Sequence, residues 1–513
     1  MLNLSSLGRV LPSLLLSLFA VNAEATSFRV QCPEQTSLHP LVNASGVTGL
    51  PDSILPNPAI KCQQISGGDG FATMGDGTQT YLFAFGPLSG LANIVDGLPG
   101  TQPASIYRTV ASTDPVVGEP TPATTFNGAV GLTPDPDSVP PNQINGHVDP
   151  RQIMDVGVLN GSMPGPLMAI DEDDEFFLTL TNVGQIMRPD LFEEHTVHFH
   201  GYPNASAYFD GVPDASVAIS IGGSFTYYYL APEAGTYFWH CHITPPEHLQ
   251  MGMVGQIYVR PRQNRLAVGA SLHDGLVAQQ SDLRKKCDTT DILCSNPVPP
   301  INSGATRQAN KLYAYNDGDG STAYDVEYPI QMHGFDPNFH FISMTFNPGA
   351  FPDMKDKYFL LNGRSYPDTA NPDPLKTQAS DGVERYSQPM SAIVNIPVGG
   401  RALLRLSDLN VTEFHTLASL GIPMRVIGTN AKLLRDQDGN NMYYDTNSIT
   451  LGGGESIDVI LDVSDTSKYQ AGQTFYLYTP QLDHLSNDAE NFGGMMTEVH
   501  ICNAVDPATK ACS

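Results

Sequence analysis

The chain has 513 residues, 41% hydrophobic and 15% charged, which is too long for one ordinary domain and suits two or three. Its formal net charge of −27 excludes a nucleic-acid partner, whose phosphates it would repel, and mainly keeps the chain soluble. Gly 47 and Pro 41 punctuate many short β-branched and aromatic runs, so an all-β protein is expected.

Residues 1–25 read as a secretion signal. Arg9 supplies the positive charge, an apolar run covers 10–21, and Val21-Asn22-Ala23 or Ala23-Glu24-Ala25 suits signal peptidase. The run is short for a bilayer span and no later stretch is longer, so a periplasmic or secreted chain without a transmembrane anchor is expected. Residues 26–150 read as an irregular N-terminal extension, with one strand at 80–85 and a long insertion rich in Pro, Asp, Gly and Thr. From 151 to 262 the chain becomes regular, with strands expected at 153–159, 175–182, 195–201, 224–230, 235–243 and 251–259, the rhythm of a Greek-key sandwich. A linker is expected at 263–310, a second strand-rich domain at 311–505 and a tail at 506–513.

Seven cysteines are an odd number for an oxidising compartment. Spacing pairs Cys32 with Cys62, Cys287 with Cys294 and Cys502 with Cys512, each able to staple loop-like or terminal chain. Cys241 is left over between two histidines on an expected strand, and a metal would protect it from oxidation.

The two halves resemble each other. His195-Thr-Val-His198-Phe-His200-Gly201 aligns with His415-Thr-Leu-Ala418-Ser-Leu420-Gly421 at a shift of 220. Gly235-Thr-Tyr-Phe238-Trp239-His240-Cys241-His242 aligns with Gly472-Gln-Thr-Phe475-Tyr-Leu477-Tyr478-Thr479 at a shift of 237. Read as a duplication, the second copy keeps the scaffold and loses five of six candidate ligands.

Six of the fourteen histidines fall between 195 and 248, and with Cys241 and Met253 they form one constellation. One thiolate (Cys241), two imidazoles (His195, His248) and a weak thioether are the donor set of a blue-copper site. Met253 is the preferred thioether, five residues after His248, with Met251 the alternative. His198 and His200 lie two apart on an expected strand and share a face, as do His240 and His242, so adjacent strands would bring four imidazoles together. Cys241 points to the opposite face, which gives a through-bond path from the thiolate to the second pair. Trp239 is expected to shape the site or fill the core.

These two motifs, with His248-Leu-Gln-Met-Gly-Met and Leu159-Asn-Gly-Ser-Met-Pro-Gly-Pro-Leu, resemble the copper motifs of the multicopper oxidase superfamily, copper nitrite reductases included. The resemblance is strong over 153–262 and weaker over 355–500. It implies two Greek-key cupredoxin β-sandwich domains, the second poor in ligands. It implies copper as cofactor, with His195, Cys241, His248 and Met253 as type 1 ligands. His198, His200, His240 and His242 become half of a type 2/type 3 cluster, and His240, Cys241 and His242 the electron path. A small-molecule or metal-ion donor, or a redox protein, would supply electrons to dioxygen.

The sequence departs from the family in two places. The stretch from Cys241 to His248 is two residues longer than in laccase-like members. A full trinuclear cluster takes eight histidines from two domains, and the matching second-domain positions are Ala418, Leu420, Leu477 and Thr479. A homotrimer, an assembly the nitrite-reductase likeness allows, repeats the same loss in every subunit. A nitrite-reductase-like reading gives His200 and His240 to a type 2 copper with His484 as third ligand, but puts His198 where that family carries its aspartate. A third reading is a type 1 copper electron-transfer or copper-binding protein without oxidase activity. His415 is expected to be a buried, hydrogen-bonded histidine, and His39, His147, His273, His333, His340 and His500 to be structural or solvent-facing.

Overall fold

The computed structural model describes residues 31–107, 132–135, 143–148, 150–201, 206–231, 233–280, 296–344 and 350–513. The expected leader at 1–25 and the expected Cys287–Cys294 pair lie outside them. No helix among the described residues is long and apolar enough to cross a membrane.

The all-β expectation holds, as two stacked sandwiches. In the first, one sheet runs Gln79–Pro87, Ile60–Thr73, Glu175–Gly184, Ser224–Leu230, and the other runs Met168–Asp171, Val254–Arg260, Gly235–His240, His198–Phe199. Between them lies a core that includes Ile65, Phe85, Phe176, Tyr227, Trp239, Cys241, Met253 and Ile257. The alternation of apolar side chains on Gly235–His240 and Val254–Arg260 sends one set into this core.

The first sheet corrects the expected extension at 26–150. Ile60–Thr73 pairs in parallel with Glu175–Gly184, Ile65 opposite Leu180, and antiparallel with Gln79–Pro87. This strand is Gly- and Gln-rich and buried on both faces, so it shows no period-2 pattern to read. Cys32 is bonded to Cys62 on it, and Cys502 to Cys512 at the other end of the chain.

The strand expected at 153–159 is instead part of a helix, Pro150–Gly157. Proline is favoured in a first helical turn, and Ile153 and Val156, three apart, both face the sheet's outer side beside Ile60, Leu88 and Phe177. The expected strand at 195–201 is shorter, with only His198–Phe199 in the ladder and His195 held by an isolated bridge to Ile219.

The second sandwich repeats these pairings. Val326–Phe335 runs parallel to Arg401–Asp408 as Ile60–Thr73 does to Glu175–Gly184. Thr474–Tyr478 lies between Met496–Cys502 and His415–Leu420 as Gly235–His240 lies between Val254–Arg260 and His198–Phe199. The domains meet across buried polar contacts. Arg260 and Arg405 both bind Glu327, Thr236 donates to Asp458 at 2.6 Å, and Gln256 donates to Ser407 at 2.8 Å.

Candidate metal centre

Cys241 is a free, fully buried thiol just past the end of Gly235–His240, where its N–H bonds the carbonyl of Met253. His248 reaches it from a short helix, Pro245–Gln250, and its Nδ1 lies 3.3 Å from Cys241 Sγ. His195, wholly buried, comes from the opposite side, its ring edge-on to His248 at 5.4 Å. One donor atom from each of the three lies within 4.8 Å of the others. Met253 is also buried beside His195, because the small Gly67 lets both approach. A Cβ on Gly67 would stand 2.7 Å from His195 Cδ2 and 3.3 Å from Met253 Cε. Met251 is equally buried.

The electrostatics fit a soft cation. Burial pushes the Cys241 thiol up, yet the imidazoles of His248 and His195 outweigh it and hold the thiol well below its usual range. Burial works against a charge on His248 too, and the Cys241 thiolate and Glu193 overcome it, raising His248 to about 9. Desolvation lowers His195. Both His195 ring nitrogens are buried without a hydrogen bond, which is costly unless something else binds them. The thiolate also accepts the N–H of Thr196 at 3.4 Å. An apolar pocket with a thiolate, two imidazoles and a thioether can hold copper in either oxidation state.

On the other face of the same strand, His200 Nε2 and His240 Nε2 face each other at 2.9 Å. His198 joins them, and one donor atom of each of the three lies within 4.8 Å of the others. The His242 ring is 5.1 Å from His198 and stacks on His240 at 5.5 Å. His198 Nδ1 donates to the Asp210 carbonyl and His240 Nδ1 to the Cys241 carbonyl, each at 2.6 Å, which leaves the Nε2 atoms as lone-pair donors toward the cluster. Burial and the neighbouring imidazoles lower His200 to about 4 and hold His240 well below its ordinary value, which favours the neutral rings that a metal needs.

The second sandwich shifts the expected register by one residue. His240 pairs with His198 and Tyr478 with Ala418, so Tyr478 answers to His240 and Thr479 to Cys241. The Thr479 N–H bonds Met495 O as that of Cys241 bonds Met253 O. The Met495 N–H bonds His484 O as that of Met253 bonds His248 O. The counterparts of the four clustered histidines are therefore Ala418, Leu420, Tyr478 and Pro480, in place of Leu477 and Thr479 for the second pair. No imidazole is gained by the correction. His484, expected as a third ligand for His200 and His240, is instead gathered with Glu413 and His415.

Three contributors lacked a sequence signal. Glu193 places Oε2 3.5 Å from His248 Nε2, but one carboxylate in so acidic a chain forms no pattern. Gly67 lies in a stretch read as irregular. Gly454, from the second domain, abuts His200, where a Cβ would stand 2.9 Å from Cε1. Of the remaining histidines, His39 bonds Glu175, His333 the Leu249 carbonyl, His340 the Tyr81 and Gln250 carbonyls, and His500 Glu498, while His273 pairs with Asp274. His147 lies on Gln143–Val148.

Part of the chain is similar to known copper proteins. Residues 143–264 match the family model described as multicopper oxidase. A laccase, abr2, of Aspergillus fumigatus is 35% identical over 109 residues, 21% of this chain and 17% of the laccase. A copper-containing nitrite reductase of Rhizobium meliloti is 35% identical over 109 residues, 20% of this chain and 26% of the reductase. The match thus spans about a quarter or less of these relatives' lengths. A blue copper oxidase of Nitrosomonas europaea superposes with a TM-score of 0.48 at 17% identity, over 86% of this chain and 85% of the other. The likeness to multicopper oxidases thus rests on the domain at residues 143–264.

Proposed function

We propose that the chain is an exported copper oxidoreductase in which His195, Cys241, His248 and Met253 hold a type 1 copper and His198, His200, His240 and His242 hold copper at a second position. The observation that carries this reading is the buried, unpaired Cys241 thiol, 3.3 Å from His248 Nδ1, with the ring-bearing His240 and His242 as its immediate neighbours in the chain. Copper bound at these positions would supply one-electron chemistry, oxidation of a donor at the first and reduction of dioxygen at the second.

The chain's own residues do the rest. Thr196 N–H on Sγ and Glu193 on His248 fix the thiolate and the imidazole before any metal arrives, so little has to rearrange on a change of charge. Thr196 Oγ1 also accepts the His242 N–H at 3.0 Å, which clamps the Cys-His segment to the neighbouring strand. His240 Nδ1 bonds the Cys241 carbonyl, so bonds and one short hydrogen bond link the thiolate to an imidazole of the cluster. Phe192, Ile221 and Ile243 with Glu193, Glu194 and Ser220 line an open hollow beside His248. An apolar rim with carboxylates suits an organic donor that carries an O–H or N–H, such as a phenol.

Export rests on the leader-like residues 1–25 and on two local disulfides, which persist outside the cytoplasm. The nitrite-reductase-like reading lacks its third ligand, since His484 sits with His415. Metal analysis with optical and paramagnetic spectra tests the proposal. The expected result is an intense thiolate-to-copper absorption, abolished by Cys241→Ser, plus further copper lost in His200→Ala with that absorption retained. Copper-loaded protein without a thiolate band, or a thiolate band in Cys241→Ser, would refute it.

A further inference from the structure

The second sandwich carries a worn copy of the first site. Shared hydrogen bonds and strand pairings put His415 in the place of His195, His484 in that of His248, Met495 in that of Met253 and Thr479 in that of Cys241. The outer carboxylate recurs as well. Glu413 stands two residues before His415, as Glu193 stands before His195, and its Oε2 lies 3.3 Å from His484 Nε2.

The copy has exchanged its soft donor for hard ones. Thr479 turns its hydroxyl to the Gln481 N–H at 3.3 Å, so it presents no thiolate to the histidines. Asp408, fully buried, instead brings Oδ1 within 3.4 Å of His415 Nδ1. Glu413, His415 and His484 each offer a donor atom within 4.8 Å of the others. The two rings stand edge to face at 5.9 Å, and Phe359 stacks on His484 at 3.8 Å and fixes its plane. His484 Nδ1 and Asp408 Oδ2 are buried with no hydrogen bond, while His415 Nε2 accepts from Asn410 Nδ2 at 3.3 Å. A fold that needed His484 only for its core would have paired that Nδ1 as well. Glu413 is partly exposed and gives the pocket an opening to solvent.

We infer that His415, His484 and Glu413, with Asp408 balancing the charge, form a second metal site that takes a divalent cation of the Zn(II) or Cu(II) class. Two imidazoles and a carboxylate suit such ions, and the missing thiolate removes the preference for Cu(I) and the charge-transfer colour. The site does not depend on the copper assignment in the first domain, because it shares no residue with it.

The test uses the full chain, stripped with a chelator and titrated with Zn(II). Bound zinc is counted by mass spectrometry and affinity read by competition with a chromophoric chelator. His484→Ala and His415→Ala are expected to bind one ion fewer per chain than the parent, while copper-loaded samples keep the thiolate absorption, which reports Cys241 and the first domain's fold. Glu413→Gln, at the solvent edge, is expected to weaken one site by about tenfold or more. Cys241→Ser is expected to leave this ion in place. Unchanged zinc count and affinity in Glu413→Gln and in either histidine variant would overturn the inference, and if the histidine variants do not fold, Glu413→Gln alone decides it.

Discussion

Glu193 Oε2 lies 3.5 Å from His248 Nε2, on the side of the ring away from the nitrogen that faces Cys241 Sγ at 3.3 Å. One carboxylate thus sets both the tilt of the imidazole and which nitrogen is offered to a metal. The contact also lowers Glu193 itself, through its hydrogen bond to His248. Glu193→Gln keeps the shape and removes the charge. Outer-shell partners of ligating histidines are worth about 10–100-fold in metal affinity. Chelator competition is expected to show copper at the Cys241 site weakened within that range, with the thiolate absorption still present at saturation. Unaltered affinity would mean that Glu193 is only a surface neighbour.

Gly67→Ala tests the packing behind the same site. The added Cβ would stand 2.7 Å from His195 Cδ2 and 3.3 Å from Met253 Cε, and both side chains are fully buried. Overpacking of this kind costs about 1–3 kcal/mol. A lower unfolding temperature and a shifted or weakened thiolate band are expected together, because the displaced group is itself a candidate ligand. A destabilised protein with an unchanged band would separate the packing from the metal site.

What could be read in advance followed the chemistry of rare residues. Cys241 stood out as the odd cysteine between histidines, and His198, His200, His240 and His242 followed from the two-residue period of a strand. What escaped notice depended on contacts between distant segments. Ile60–Thr73 lies at the heart of the first sheet but is Gly- and Gln-rich and covered on both faces, so it carries no alternation. Residues 153–159 alternate well enough to pass for a strand, yet Pro150 and the pair Ile153 and Val156 make a covering helix. Sequence similarity alone matches Tyr478 to Cys241, because it carries no cross-strand partner, and the ladder to Ala418 sets Tyr478 against His240 instead. Glu193 and Glu413 became meaningful only when both were found against equivalent histidines.

Between the domains, Glu327 is buried with Arg405 at 3.0 Å and Arg260 at 2.6 Å. Burial favours the neutral acid, but the two guanidinium groups outweigh it and hold Glu327 at about 2, below its ordinary value of 4.5. A depressed carboxylate contributes stability that is fully present above about pH 4.5 and is lost as pH falls toward 2. Glu327→Gln leaves the wholly buried Arg405 with Asp458, 3.8 Å away, as its remaining carboxylate. Breaking a buried pair from one side costs about 3–5 kcal/mol. Chemical unfolding at neutral pH is expected to show a loss near the low end of that range, and the variant's acid transition between pH 4.5 and 2 is expected to be shallower than the parent's. Equal stability at neutral pH would show that the contact is not holding the domains together.

Gly454 offers a way to disturb the histidine cluster from the other domain. Its φ of +89° is a conformation that residues with a Cβ rarely adopt, and the new methyl would meet His200 Cε1 at 2.9 Å and Nδ1 at 3.0 Å. Backbone strain of this kind costs about 1–3 kcal/mol. His200 is the more movable party, being only partly buried, whereas the loop is tied down by the Gly454 N–H on the Asp408 carbonyl at 2.9 Å. Gly454→Ala is therefore expected to turn His200 away from His240, lower the copper bound at the cluster and leave the Cys241 absorption untouched. Copper counts with paramagnetic spectra of the variant check this directly. If the cluster keeps its metal and the thiolate site loses it, the second domain does not act on the cluster through Gly454.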